Sequence, residues 1–191
     1  MDQQATKAIH IAIYPHLSKV GQSHTYKGDF GLKQISFGQA LYAFDQSPQY
    51  EVELTNTGDA ILVQGQINAL ALTSCVRCLK EIQIPISGSV EGYFLLNPNA
   101  NTTDLKEDEY GFVDSKNTIC INDNLYAAIT YELPFTPLCA QDCKGLCQYC
   151  GCDLNKKTCD CAQKIAEQKE NEINPNSPFA ILKDYKFDDD E

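Results

Sequence analysis

Seven of the ten cysteines in this 191-residue chain lie between residues 139 and 161. A segment this short buries too little apolar surface to fold by hydrophobic packing alone, and its cysteines lack the apolar neighbours of core thiols. The N-terminal sequence has no basic start followed by a long apolar run. We therefore expect no secretory signal and a cytoplasmic protein whose thiols stay reduced. Clustered cysteines in a reducing compartment indicate bound metal more often than disulfides.

The composition is that of a folded, acidic protein. Apolar residues make up 43% of the chain and charged residues 21%, and 15 basic against 26 acidic residues give a formal charge of −11. This charge argues against a generally basic protein that coats nucleic-acid phosphates, although contact through a local patch stays open. No apolar run approaches the roughly 18 residues that a membrane helix needs, so we expect no membrane partner.

Strand patterns dominate the chain before the cysteine cluster. Residues 8–14, 50–55 and 117–121 alternate apolar and polar side chains, which is typical of strands. Turn-forming residues at 56–59 join the second of these to a longer strand candidate at 60–74, and together they predict a hairpin. Residues 80–96 continue the strand pattern, and Pro85 and Gly88 indicate an edge, a bend or a bulge there.

One segment changes to a helical period. Residues 123–133 predict a helix that Asn122 or Asp123 caps and that Pro134 ends. Its apolar positions share one face, which we expect to pack on the body: Leu125, Ala128, Ile129 and Leu133. The polar, acidic stretch at 97–109 is expected to be an exposed loop.

These patterns predict an α+β fold, with a mainly antiparallel β body, one or two packed helices and a small Cys-rich zinc-knuckle appendage. The predicted division is a body at 1–138, a Cys-rich metal-binding knuckle at 139–161 and a helical or extended tail at 162–191 with an acidic end. The tail carries one apolar cluster at 178–182, which we expect to pack on the core; the alternative is a docking peptide for a partner.

The strongest indication of a metal site is two closely spaced pairs of cysteines in the knuckle. Zinc takes four thiolates at tetrahedral corners, and two cysteines separated by two residues can grip one ion from a tight turn. Gly151 stands where such a turn needs a positive φ. The preferred ligands of a structural zinc ion are Cys147, Cys150, Cys159 and Cys161. Cys152 is a spare thiol within the loop.

A second metal site is also open, so that the chain would hold one or two zinc ions. Its ligands would be the remaining paired cysteines, namely Cys75, Cys78, Cys139 and Cys143. A competing partition places Cys143 in the preferred knuckle site, together with Cys147, and leaves other cysteines unliganded. Cys75 and Cys78 can also be read as core thiols at a strand end or as a redox dithiol. Cys120 lies in a strand pattern and is expected to be a plain core or surface thiol.

Catalytic signals are weak. The three histidines all lie in the first 24 residues, and His10 is expected to be a half-buried structural residue. No nucleophile elbow, phosphate loop or HExxH motif occurs. A four-cysteine zinc site has no open position for a substrate. We therefore expect no enzyme and no small-molecule substrate; the alternatives are a thiol redox or sensor protein that uses CxxC, and an RNA-processing nuclease.

Several motifs resemble those of the YceD family, whose members are linked to accumulation of large-subunit ribosomal RNA. The resemblance runs from Cys75-Val-Arg-Cys78-Leu79 through the Asp142-Cys143-Lys-Gly145-Leu146-Cys147-Gln-Tyr-Cys150-Gly151 core to Cys159-Asp-Cys161 and Pro178-Phe179-Ala180-Ile181-Leu182. The chain departs from the family at Gln148, where proline is common, and at the extra Cys152. The resemblance implies a ribosome-biogenesis factor that supports synthesis, processing or stability of that RNA.

The implied partner is a pre-ribosomal particle, ribosomal RNA or a ribosomal protein. Lysines and aspartates balance within the knuckle, namely Lys144, Lys156 and Lys157 against Asp142, Asp153 and Asp160. Four thiolates and one Zn²⁺ add a net charge of about −2. This charge favours docking on a basic ribosomal protein, with contact to RNA as secondary.

Overall fold

A computed structural model describes residues 8–97, 110–161 and 163. The chain divides into two compact units, Met1–Gln141 and Asp142–Glu191. In chain order, the elements of the first unit are β1 (His10–Ala12), β2 (Ser23–Asp29), β3 (Gln34–Phe37), β4 (Ala40–Ala43), β5 (Gln49–Asn56), β6 (Ala60–Ser74), β7 (Glu81–Leu95), β8 (Gly111–Phe112), β9 (Thr118–Cys120) and α1 (Asn122–Glu132). The described residues are therefore mostly β structure with one helix, as the sequence predicts.

The larger sheet is built on three long antiparallel strands, β5, β6 and β7. The predicted hairpin is confirmed, since β5 pairs with β6 from Gln49↔Asn68 to Asn56↔Ile61. Its turn is closed by the N–H of Thr57, which donates to the carbonyl of Ala60 at 2.9 Å. Strand β2 pairs with the other edge of β5. Strand β4 pairs with β6, and β3 pairs with β4, so that the order is β2-β5-β6-β4-β3. β1 and β9 form a separate two-stranded sheet.

β6 and β7 pair without a slip along their whole length, from Ala60↔Leu95 to Ser74↔Glu81. Alternate residues of both strands point into the core, and α1 covers that face with Leu125 and Ile129, both fully buried. The register contains no bulge at Gly88, so the bulge that the sequence allowed there is absent. The packing of α1 explains the glycine instead. A Cβ atom there would collide with the backbone carbonyl of Ala128 in α1. The glycine lets helix and sheet approach closely.

The cap of α1 differs from the prediction. The residue at the N-cap position is Ile121, and no side chain bonds the first turn. The Asn122 side chain is engaged elsewhere, because its Oδ1 accepts the N–H of Ile9 at 2.7 Å. The helix ends at Glu132, and Leu133 is extended, as the residue before a proline tends to be.

Four short strands were not predicted, namely β2, β3, β4 and β8. β3 and β4 have four residues each, and the polar residues of β2 hide its alternation. Residues 98–109, most of the acidic loop candidate, lie outside the described part of the chain. So does the tail beyond residue 163, including the apolar cluster at 178–182. In the described residues, no helix is long and apolar enough to span a membrane.

Candidate metal centres

The first CxxC sequence forms the connection between β6 and β7. The last pair of this ladder is Ser74↔Glu81, so the hairpin has to reverse within the residues between them. The N–H of Cys75 donates to the carbonyl of Lys80 at 2.8 Å, and the N–H of Leu79 donates to the carbonyl of Cys75 at 2.9 Å. Leu79 has a φ of 60°, which is unusual for a residue with a side chain. The turn places Cys75 and Cys78 at the tip of a long hairpin with an unbroken register.

The second CxxC sequence repeats this backbone pattern. The N–H of Cys147 donates to the carbonyl of Cys152 at 2.9 Å, and the N–H of Gly151 donates to the carbonyl of Cys147 at 2.8 Å. Gly151 has a φ of 68°, as the sequence predicts for this position. Leu146 and Asp153 form an antiparallel bridge that flanks the turn. Both CxxC sequences are thus tight turns with the same two backbone hydrogen bonds, and the first cysteine of each is buried.

The structure brings two sets of four cysteines together. In each set the four sulfur atoms all lie within 4.8 Å of one another. The first set is Cys75, Cys78, Cys139 and Cys143, and the second is Cys147, Cys150, Cys159 and Cys161. These are the same eight residues that the sequence proposes as ligands.

In the first set, the Cys139 segment lies beside the hairpin tip. The N–H of Val76 donates to the carbonyl of Pro137 at 3.0 Å, which fixes this segment next to the turn. The sulfurs of Cys78 and Cys139 are 3.5 Å apart, much farther than the S–S bond of about 2.05 Å in a disulfide. The first set is therefore arranged as neighbouring thiols rather than as a bridged pair.

The buried thiol of Cys75 is surrounded by donors. Burial raises its pKa, but the N–H groups of Cys78, Cys139 and Arg77 and the thiol of Cys78 donate to its sulfur. The donors outweigh burial and lower the pKa of Cys75 to about 6. Backbone amides that point at a sulfur stabilise a thiolate, which is the form that binds metal.

Hydrogen bonds to sulfur also shift the pKa values of the thiols in the second set. The N–H of Cys152, with the thiols of Cys152, Cys147 and Cys161, lowers the pKa of Cys150 to about 6. The N–H groups of Cys150 and Tyr149 lower the pKa of Cys147. A hydrogen bond to Cys150, followed by burial, raises the pKa of Cys161 to about 12. Hydrogen-bond donors therefore lower the pKa of two of the four thiols in this set.

Both donor sets fit zinc. A tetrahedral Zn²⁺ with Zn–S bonds of about 2.3 Å separates its sulfurs by about 3.8 Å. The sulfurs of each set lie within 4.8 Å of one another, so each set can surround such an ion. Four thiolates and no carboxylate or histidine are the donors of a closed, structural zinc site. Among the described residues, the groups able to hold a metal consist of cysteines alone.

Asn155 supports the first set, and sequence reasoning missed it. Its Nδ2 donates to the Cys143 sulfur at 3.5 Å, while its Oδ1 accepts the N–H of Lys144 at 2.8 Å. The same Nδ2 lies 2.8 Å from Oδ1 of Asp153. A donor of this kind orients a metal ligand and stabilises its charge. The one available signal is the Asp-Leu-Asn sequence directly after the second CxxC turn.

Two other predicted residues lie away from these centres. Cys120 is on the exposed side of β9, opposite His10 of β1 in the register. His10 is exposed, so the half-buried placement predicted for it is wrong. Its neighbour Ile11 faces the core instead, at 5% exposure. Neither residue belongs to the groups of described residues that could hold a metal.

The sequence profile of the family described as "Large ribosomal RNA subunit accumulation protein YceD" matches residues 63–186 of this chain. The chain belongs to the YceD family. The match begins in β6 and includes all eight cysteines of the two sets, which confirms the resemblance seen in the motifs. Strands β1 to β5 precede the matched region.

Two relatives match parts of this chain. An uncharacterized protein of Mycobacterium tuberculosis is 32% identical over 119 residues, which is 61% of this chain and 57% of that protein. A chloroplastic YCED homolog 1 of Arabidopsis thaliana, named as a large ribosomal RNA subunit accumulation protein, is 33% identical over 69 residues. That match covers 36% of this chain and 21% of the plant protein. No solved structure matches the chain with statistical significance.

The first of these comparisons is partial in length, because this YceD-family chain aligns with little more than half of its mycobacterial relative. The described part of the YceD region includes a hairpin whose turn carries the first CxxC, the helix α1, and the second CxxC with its return segment. Every metal-capable group of the described residues falls inside it.

Proposed function

We propose that this protein is a non-enzymatic factor that supports synthesis, processing or stability of large-subunit ribosomal RNA, and that structural zinc holds its cysteine sets. The observation that supports it is the family match over residues 63–186, which contains both sets. The name of the plant relative refers to the same RNA. The cytoplasmic location stays a prediction.

The proposed metal role is structural. Each set offers four sulfur donors, which leaves a zinc ion no open position for substrate. Zinc binding supplies on the order of 10 kcal/mol to small zinc-dependent folds at neutral pH, enough to order a segment with little core. The described part of Asp142–Glu191 is such a segment, since few of its side chains are apolar and buried.

The proposed partner is a basic ribosomal protein within a pre-ribosomal particle. The chain carries a formal charge of −11, and each Zn²⁺ with four thiolates adds to the negative field. Lys156 in the second unit is already engaged by Asp153 at 3.6 Å. Arg77 within the first CxxC sequence and Lys80 just after it offer a small basic area for secondary contact with RNA.

The function is tested by the ratio of large- to small-subunit ribosomal RNA in cells that lack the protein. The ratio is expected to fall, and the wild-type gene should restore it. The variant Cys75→Ser/Cys78→Ser should fail to restore it, whereas the control Cys120→Ser should succeed, because Cys120 lies outside both sets. An unchanged ratio in the deletion strain would contradict the proposal.

Metal analysis separates the proposal from the redox alternative. Native mass spectrometry of the purified protein should find two zinc ions per chain, and native thiol titration should find the eight ligand thiols unreactive. A metal-free protein with a reactive low-pKa thiol would favour a redox protein instead. The nuclease alternative predicts RNA cleavage by the purified chain, which this proposal does not.

A further inference from the structure

Strand β7 has one edge that is mostly without a partner strand. Strand β6 pairs with one side of β7 along its whole length, whereas β8 meets the other side only at Phe94 and Leu95. Within the part of the chain that the structure describes, that other side is unpaired from residue 81 to residue 93. Such an edge presents backbone N–H and C=O groups to which an extended peptide can add as a further strand.

Two hydrogen bonds show which backbone groups of β7 point to the open edge. Nδ2 of Asn124 in α1 donates to the carbonyl of Glu91 at 2.7 Å, and the carbonyl of Leu95 accepts an N–H from the segment after β8 at 3.0 Å. Both carbonyls belong to odd-numbered residues, and the direction of the backbone groups alternates along a strand. The N–H and C=O groups of Ser87 and Ser89, which are both exposed, therefore point away from β6.

The usable part of this edge is short and has defined ends. Pro85 also faces outward, and because proline has no N–H it removes one donor from the edge. At the other end, Asn124 already occupies the carbonyl of Glu91. The groups between these ends suit an added strand of roughly five residues.

A groove lies between this edge and α1. Its volume is about 530 Å³, and its lining includes Ser89 and Glu91 of β7 and Asp123, Ala127 and Tyr131 of α1. The side chain of Ala127 is small and exposed, and Tyr131 is 91% exposed. An added strand therefore has room beside the helix and an aromatic ring to cover.

The charges of the groove favour a basic occupant. Glu91 and Asp123 line it, and none of the described residues in its lining is a lysine or an arginine. Opposite charges on neighbouring strands stabilise their pairing. Because side chains alternate along a strand, one face of an added strand would meet Glu91 and the other would meet α1. A segment in which Lys or Arg alternates with apolar residues matches both.

We propose that the open edge of β7 binds an extended, basic segment of a partner protein, which adds to the sheet as a strand beside Ser87 and Ser89. The inference rests on the basic ribosomal protein proposed above as the partner, and it assigns the surface that binds it. The acidic lining of the groove disfavours RNA as the occupant, because carboxylates repel phosphates.

The test is residue-resolved hydrogen exchange of the full-length zinc protein, with a synthetic peptide of alternating lysine and valine as the probe. In the free protein, the amides of Ser87 and Ser89 should exchange quickly, whereas those of Gly88 and Val90, which point to β6, should exchange slowly. The peptide should slow exchange at Ser87 and Ser89 several-fold. The same peptide with every amide N-methylated keeps its charge but has no N–H to donate, and it should give no protection.

Side-chain variants separate edge binding from general attraction to an acidic protein. Ala127→Lys places a charged side chain in the groove and Glu91→Gln removes a carboxylate from it, so each should weaken peptide binding several-fold in a fluorescence titration. Glu53→Gln is the matched control, because Glu53 lies in the same cross-strand row as Glu91, with Gln64 between them, but away from the edge. All three substituted positions are exposed, so the variants should fold.

Four results would overturn the inference. The first two are a peptide that does not bind or binds without protecting Ser87 and Ser89, and equal weakening by Glu53→Gln and Glu91→Gln. Slow exchange of both serine amides in the free protein would show that the edge is already covered by another part of the chain or by a second copy. Protection by a ribosomal RNA fragment instead of the peptide would make RNA the occupant.

The edge and the proposed function fail in different experiments. If the deletion strain loses large-subunit ribosomal RNA and the Ala127→Lys gene restores it as fully as wild type, the function stands and the edge has no part in it. If the ratio is unchanged in the deletion strain while the peptide still protects Ser87 and Ser89, the function falls and the binding edge remains.

Discussion

Leu79 and Gly151 are backbone counterparts. Each follows the second cysteine of a CxxC turn, each donates its N–H to the carbonyl of the first cysteine, and each has a positive φ, 60° and 68° respectively. Glycine adopts this conformation freely, whereas leucine pays roughly 1–2 kcal/mol for it. The first turn therefore stores strain that the second avoids, although the two turns have the same geometry.

Replacing Leu79 by glycine should stabilise the first unit. The relief of strain exceeds the added flexibility of the unfolded chain, so the free energy of unfolding should rise by about 0.5–1 kcal/mol in urea titration of the zinc protein. Leu79 is 66% exposed, so little packing is lost. Val76→Gly in the same turn is the control and should lower the stability. A less stable Leu79→Gly protein would contradict the strain assigned to this position.

The hydroxyl of Tyr42 holds the segment that follows α1. Tyr42 is fully buried in β4, and its hydroxyl donates to the carbonyl oxygen of Pro134. Tyr42→Phe leaves that carbonyl without its donor, which should cost about 1–3 kcal/mol of the free energy of unfolding. Tyr131→Phe, at a site that is 91% exposed, should cost nothing measurable. Equal stabilities of the two variants would show that the hydrogen bond is not significant.

The packing of α1 on β7 should dominate the stability of the first unit. Ile129 is fully buried at this contact, so Ile129→Ala loses apolar burial and leaves a cavity. We expect a loss of about 2–5 kcal/mol in denaturant unfolding. Tyr131→Ala, two residues away on the same helix and almost fully exposed, should change stability by less than about 0.5 kcal/mol. A loss below about 1 kcal/mol for Ile129→Ala would mean that the helix is not part of the cooperative core.

The carboxylate of Asp114 should make stability depend on pH. The hydroxyl and the N–H of Thr118 donate to it, as does the N–H of Lys116, and these bonds lower its pKa. A folded-state pKa below the unfolded value stabilises the fold above the unfolded pKa, and this contribution disappears as pH falls through the folded pKa. Asp114→Asn should therefore lower the melting temperature at pH 7, and the difference from wild type should shrink below about pH 4.

The matched control for that titration is the exposed turn residue Asp59. Asp59→Asn removes an exposed carboxylate and keeps the three hydrogen bonds to Asp114, so the melting temperature at pH 7 should stay close to that of wild type. If Asp114→Asn and wild type differed equally at pH 7 and at pH 2.5, about a unit or more below the usual Asp range, the difference would come from geometry rather than from charge.

Asn155 should affect one zinc ion and spare the other. Asn155→Ala removes the donor to the Cys143 sulfur, and loss of such a partner typically lowers metal affinity by about 10–100-fold. Competition with a chelator should show one weakened ion, while the second set keeps wild-type affinity. Lys156→Ala, the neighbouring exposed position, is the control. Equal weakening of both ions would mean that Asn155 supports the fold generally rather than one ligand.

The sequence predicts the long strands and α1 because their side chains repeat with the period of the element. It also proposes these two sets of cysteines from the CxxC pairs, but it leaves open a partition in which Cys143 joins Cys147, and it leaves open whether the second site exists. It misses β3 and β4, which are too short to show a period. The contacts of Cys152 and Asn155 depend on how the second turn reverses at Gly151, and spacing alone carries no information about such contacts.

The two cysteine sets differ in how far apart their members stand along the chain. Cys78 and Cys139 are neighbours in space but 61 positions apart in sequence. A metal that bridges them would close a large loop, and on the scale used for disulfides a loop of that size removes about 4 kcal/mol of entropy from the unfolded chain. The second set lies within one contiguous stretch and closes only small loops. The first ion would thus cross-link distant parts of the chain and bind late in folding. The second would bind within one short segment, which can fold around it as soon as that segment is synthesised.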